Sequence, residues 1–186
     1  MPSINLTDHF LIAMPAMADP NFSGSVVYIC DHSDNGALGL VINRPTELSL
    51  STLFDRIDLK LEIAPWKDTP VFFGGPVQTE RGFVLHVPPG TYSSSLTVTP
   101  EISLTTSKDV LEAVASGSGP QKMLVTLGYS GWGAGQLEGE IAANAWLTVP
   151  ASAQILFDLP AEQRYDAALR LLGVDSAQLS GQVGHA

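Results

Sequence analysis

The stretch GYSGWGAGQLEGEIAANAWL, residues 128–147, decides the reading of the fold. Glycines 128, 131, 133, 135 and 139 stand among Tyr129 and Trp132, directly after the apolar run MLVTL at 123–127. That order predicts a strand over 122–129, a tight glycine turn over 131–135, a short helix over 136–143 and a return strand over 146–149. Such a junction sets the backbone N–H groups of a helix start beside a strand end, where many proteins bind ligands. Glycine opens backbone conformations there that other residues cannot enter, at an entropic cost.

Outward from this junction, short strands outnumber helices. Residues 10–14 read as a strand, and 25–30 with 37–42 read as a hairpin around DHSDNG, whose Asn35-Gly36 pair suits the turn. A helix is expected over 51–57, capped by Ser49 or Ser51, with Leu53, Phe54 and Ile57 on one face. Strands follow at 71–73, 82–87, 96–98 and 102–105. Ser107 starts a helix that Gly117 ends, with Val110, Leu111 and Val114 facing inward. A last helix spans about 161–172, between Pro160 and Gly173. Strands arranged in hairpins favour an α+β class over a doubly wound parallel sheet. No linker divides the chain, so residues 1–174 form one domain, and 175–186 are expected to be a mobile tail.

Composition narrows the function. The 186 residues carry nine Lys and Arg against nineteen Asp and Glu, a formal net charge of −10. The basic residues are scattered, whereas nucleic-acid binders cluster them to neutralise phosphates; direct DNA binding is not expected. No apolar run approaches the roughly 20 residues of a membrane helix. The segment FLIAMPAMA at 10–18 imitates a signal-peptide core but has no preceding Lys or Arg. One cysteine, Cys30, excludes an internal disulfide and fits a reducing, cytoplasmic setting.

Two further segments, FLIAMPAMADPNFSGSVVYICDHSDNGALGLVINRP at 10–45 and FFGGPVQTERGFVLH at 72–86, stand in order with the glycine-rich stretch. Together they closely resemble the YqgE/AlgH family of small bacterial proteins. Asp31 departs from the glutamate usual before His32, which keeps the charge on a shorter arm. The resemblance implies a mixed α+β domain with a bifurcated sheet curled into a partial barrel. It brings no settled activity, although some members carry a transcriptional-regulator label.

Individual residues also bear on chemistry of their own. The turn at Gly131, Gly133 and Gly135 lacks the third spaced glycine of a dinucleotide fingerprint, because Gln136 stands there, and it lacks a P-loop lysine. Glu138 and Glu140, read as first-turn residues, would repel a phosphate. The glycines then serve either close packing of strand on helix around Tyr129 and Trp132, or an uncharged or weakly anionic ligand. In an extended chain Cys30 and His32 share one face while Asp31 points away, a candidate thiolate–imidazole pair. Zinc would need three or four converging ligands, and the sequence offers no pair spaced for it. Arg44 and Arg81 end strands beside Glu47 and Glu80 and are expected to make local polar contacts. Ser130 lacks a nucleophile elbow.

The sequence thus nominates no catalytic, cofactor or metal set. It nominates a ligand or partner surface drawn from Asp31, His32, Arg44, Arg81, His86, Tyr129, Trp132 and Gly133. The expected function is non-catalytic binding of a protein partner or small molecule, with regulation among the roles open to it. The alternative is an enzyme whose pocket lies near the Asp31-His32 turn and the 131–135 turn. Convergence of His32, Arg44, His86 or Tyr129 in one concavity would favour the enzyme.

Overall fold

The computed structural model describes residues 4–61 and 63–174, so the tail expected at 175–186 lies outside the described residues. Strands β1 (His9–Ala13), β2 (Val26–Ser33), β3 (Gly36–Val41) and β4 (Pro45–Ser49) lead into helices α1 (Leu50–Arg56) and α2 (Ala64–Lys67). Next come β5 (Pro70–Phe73), β6 (Val77–Val87), β7 (Ser95–Thr97), β8 (Ser103–Thr105) and α3 (Asp109–Ala115). Then follow β9 (Lys122–Gly133), α4 (Gln136–Ala142), β10 (Trp146–Pro150), α5 (Ala153–Phe157) and α6 (Ala161–Leu171).

The strands form one sheet in the order β10-β1-β2-β3-β9-β6-β8-β7, with β5 and β4 branching from β9. One edge of β9 runs parallel to β5 at Thr126 and Leu127, then antiparallel to β3 from Ser130 to Gly133. Its other edge carries β6. The sheet is therefore mixed and bifurcated, and it curls into a partial barrel within a single α+β domain.

Both faces of the central strands are covered, so their sequences read as unbroken apolar runs instead of alternating ones. Phe10 to Ala13 and Val26 to Cys30 are buried at every position. Phe10, Ile12, Tyr28, Leu40 and Leu85 face a core closed by Leu156 of α5 and by Ala168 and Leu169 of α6. Leu11, Val27, Ile29 and Val41 face the other way, onto Trp132, Leu137 and Trp146 around α4. A third cluster packs Leu50 and Phe54 of α1 and Val110 and Val114 of α3 on β5, β6 and β9.

Four local expectations are corrected. The glycine turn is shorter than the sequence suggested: β9 continues through Gly131, Trp132 and Gly133, and only Ala134 and Gly135 turn. Helix α1 begins one residue earlier, at Leu50, because the Ser49 side chain accepts the Thr52 N–H as its cap. Ser107 does not cap α3; Lys108 holds that position without a side-chain bond. Asp31 and His32 lie inside β2 and not in a turn, since the hairpin reverses at Asp34 and Asn35.

Candidate functional site

A bulge in β2 decides the fate of the cysteine–histidine pair. Ile29 opposes Gly39 while Asp31 opposes Leu38, so two steps of β2 match one step of β3. The extra residue switches the faces that follow it. Cys30 joins Phe10 and Tyr28 in the core, whereas His32 opposes Ala37, which packs with the cluster under α4. The shared face expected from simple alternation is lost, and no thiolate–imidazole pair forms. Burial also pushes the Cys30 thiol far up, with Asp31 adding to the shift.

Helix α4 gathers three of the nominated residues. The His32 Nδ1 accepts the Leu6 N–H at 2.9 Å, so the ring proton belongs on Nε2, which lies 3.4 Å from a Glu138 carboxylate oxygen. Trp132 donates its indole N–H to Glu140 Oε1 at 3.0 Å, and Trp146 donates to the same oxygen at 2.9 Å. The Gly133 N–H reaches the Gln136 side-chain carbonyl at 3.0 Å. Glu138 occupies the first turn as expected, but Glu140 sits further along and serves the two indoles. This arrangement ties a helix to a sheet; each polar group already has its partner or its facing charge.

Of the other five nominated residues, Asp31 adjoins the cluster at Trp132 and the remaining four lie apart from it. Asp31 is exposed and borders a shallow concavity of about 230 Å³ with Ser33, Asn35, Gly36 and Trp132. Arg44 clamps the preceding loop, donating to the carbonyls of Pro20 at 2.9 Å, Asn21 at 2.7 Å and Ser23. It does so in place of the expected contact with Glu47. Arg81 donates to Gln78 and to the Thr106 hydroxyl, both at 3.3 Å, and lies over the Phe83 ring that Tyr129 meets edge to face. His86 is fully buried. Its Nδ1 carries the proton donated to the Pro88 carbonyl, and its Nε2 accepts from the Thr105 hydroxyl at 2.7 Å. Burial holds its pKa below the ordinary value. His32, Arg44, His86 and Tyr129 do not meet in one concavity. Among the described residues, no group of three or more His, Cys, Asp or Glu side chains could hold a metal ion.

A further concavity lies elsewhere, a cleft of about 380 Å³ between α2, β5 and β9 on one side and α5 with the start of α6 on the other. Trp66, Phe72, Met123, Phe157, Leu159 and Arg164 are in its wall. Lys122 and Asp158 pair at 2.7 Å, joining β9 to the end of α5. Arg164, only 6% exposed, donates Nε to the Leu159 carbonyl at 3.2 Å and Nη1 to the Ile42 carbonyl. Its guanidinium lies 5.0 Å from the Phe72 ring centroid. Desolvation lowers its pKa to about 10, so it is still a cation at neutral pH.

Sequence reading passed over this cleft because its walls are far apart in the chain. One signal was available: Arg164 shares the inward stripe of α6 with Ala168 and Leu169, and a charge on an apolar stripe calls for a partner.

Residues 10–177 match the family profile described as AlgH-like. A UPF0301 protein of Cupriavidus pinatubonensis is 67% identical over 98% of this chain and 96% of its own. A second, from Ralstonia nicotianae, is also 67% identical over the same shares. The solution structure of the AlgH protein from Pseudomonas aeruginosa is 51% identical and superposes with a TM-score of 0.80, covering 100% of this chain and 98% of that one. A crystal structure of a protein from Corynebacterium diphtheriae shares the fold at 18% identity, with a TM-score of 0.70 over 91% of this chain and 88% of that one. The chain belongs to the AlgH-like family.

Proposed function

We propose that this protein works by binding and not by catalysis, and that the cleft between β5–β9 and α5–α6 holds a small, largely apolar molecule. The observation that carries the reading is the cleft itself. Its volume of about 380 Å³ and its aromatic wall suit a small ligand, pockets for which span roughly 300–1,000 Å³. The nominated acid–base residues are dispersed, which leaves no assembled reacting set to favour an enzyme.

A protein partner is less well supported than a small molecule. Among the described residues the exposed large hydrophobics are Ile4, Leu171 and Leu172, too few for a broad apolar docking face. Direct DNA binding stays outside the proposal on charge grounds, given the net charge of −10. A cytoplasmic setting is part of it, supported by the single cysteine. No helix among the described residues is long and apolar enough to cross a membrane. Regulation is the natural use of a protein that binds without reacting.

Ligand-observed NMR tests the reading, using the small-molecule fraction of a bacterial lysate. The protein should contact a subset of these molecules, and Ala161→Trp, which fills the cleft from the start of α6, should abolish the contacts. Equal contacts in both proteins would place binding elsewhere.

A further inference from the structure

Arg164 is a buried cation with no carboxylate in direct ion-pair contact among the described residues, and Glu162 on the same helix favours its charge only from beyond 4.0 Å. A guanidinium has five N–H donors, and the described residues supply two acceptors, the carbonyls of Leu159 and Ile42. Among those residues no carboxylate lies within 4.0 Å of it, and none accepts from Nη2. Buried charges are ordinarily paired, because the interior does not solvate them as water does. The one side-chain polar atom both sealed from solvent and unpaired among the described residues is Nε2 of His32. The open edge of Arg164 therefore reaches solvent, and Arg164 is one of the residues that line the cleft. The start of α6 lines the same cavity, with Pro160 in the cap position and no side chain accepting its first N–H groups.

Resting on the binding reading of the cleft, we propose that the ligand is a monocarboxylate with an apolar body. Its carboxylate pairs with the free edge of Arg164, and its body lies against Trp66, Phe72 and Phe157. The charge count favours one negative charge over several. Glu162 stands in the first turn of the same helix and lines the same cavity, and the chain carries a net charge of −10. A phosphate would meet that carboxylate with nearly twice the charge and only one arginine to answer it. A neutral ligand would leave the guanidinium unpaired.

The test titrates the protein at neutral pH with matched acids and amides: phenylpropionate, cyclohexanecarboxylate and indole-acetate, each beside its own amide. Two-dimensional NMR follows the Trp66 indole and the Leu159 and Ala161 amides. Each acid that binds should do so about tenfold more tightly than its amide, the worth of a charge-assisted hydrogen bond. The preference should survive in Arg164→Lys and vanish in Arg164→Met, with circular dichroism reporting the fold of each. If Arg164→Met does not fold, the acid–amide comparison in the natural protein decides alone. Acids and amides binding equally at the cleft would overturn the carboxylate assignment and leave the cleft reading standing. An acid preference that persists in Arg164→Met would overturn it too. No shift at the cleft with any probe would overturn both.

Discussion

The Ser130 hydroxyl donates to the Gly74 carbonyl at 3.0 Å, joining residues 56 positions apart at the fork of the sheet. The same carbonyl accepts the Val41 N–H at 2.9 Å, while the Gly74 N–H donates to Leu127 at 3.0 Å. Three strands thus converge on one residue. The crossing is too close for side chains: a Cβ on Gly75, whose φ is +153°, would lie 2.2 Å from the Tyr129 backbone.

Gly75→Ala should therefore cost at least about 2 kcal/mol, from backbone strain and forced separation of the strands together. Gly133 differs, since its φ is ordinary and a Cβ there meets nothing closer than the Gln136 side chain at 4.0 Å. Gly133→Ala should change stability by no more than about 0.5 kcal/mol. Urea unfolding of both variants checks the contrast; equal losses would refute this account of the fork.

Trp132 is 6% exposed and stacks on Phe22 with ring centroids 6.1 Å apart, besides its bond to Glu140. Trp132→Ala should cost about 3–5 kcal/mol, as for other buried aromatics. A near-natural unfolding midpoint for this variant would contradict the packing role and return the 128–147 stretch to the list of binding surfaces.

The sheet was legible in the sequence where local signals suffice. Unbroken apolar runs marked β1 and β2, and Asn35-Gly36 marked the hairpin. The bulge after Ile29 was not legible, because an extra residue in β2 has meaning only against its partner in β3. The need for glycine was placed over the 131–135 turn; it holds at Gly135, whose φ is +76°, but not at Gly133, and it is sharpest at Gly75 and Gly128, where two distant segments cross. The cleft was hidden for the same reason: Trp66, Phe72 and Phe157 adjoin only once the sheet has curled. Periodicity reports what a segment buries and not what it meets.

His86 provides a pH dependence. Burial disfavours its charged form and holds its pKa below the ordinary 6.5, so the unfolded chain takes up the proton more readily than the folded one. Its neutral form costs nothing above about pH 6.5, and stability falls as the pH drops through that value toward the folded pKa. His86→Gln should remove this part of the acid sensitivity. Unfolding curves between neutral and mildly acid pH measure it; an unchanged slope in the variant would show that His86 is not the group responsible.

Cys30 is 1% exposed, and burial holds its thiol in the protonated form. Aromatic disulfide reagents should modify it slowly in the folded protein and rapidly in denaturant. Fast, stoichiometric modification without denaturant would reveal an activated thiolate and revive an enzymatic reading.

The central claim is that the cleft beside Arg164 is the working site, and chemical-shift mapping with small apolar carboxylates tests it most directly. The account predicts perturbations concentrated at Trp66, Phe157, Leu159, Ala161 and Arg164, saturating with concentration. Saturable shifts confined instead to Asp31, Asn35 and Trp132, or none at any site, would contradict it.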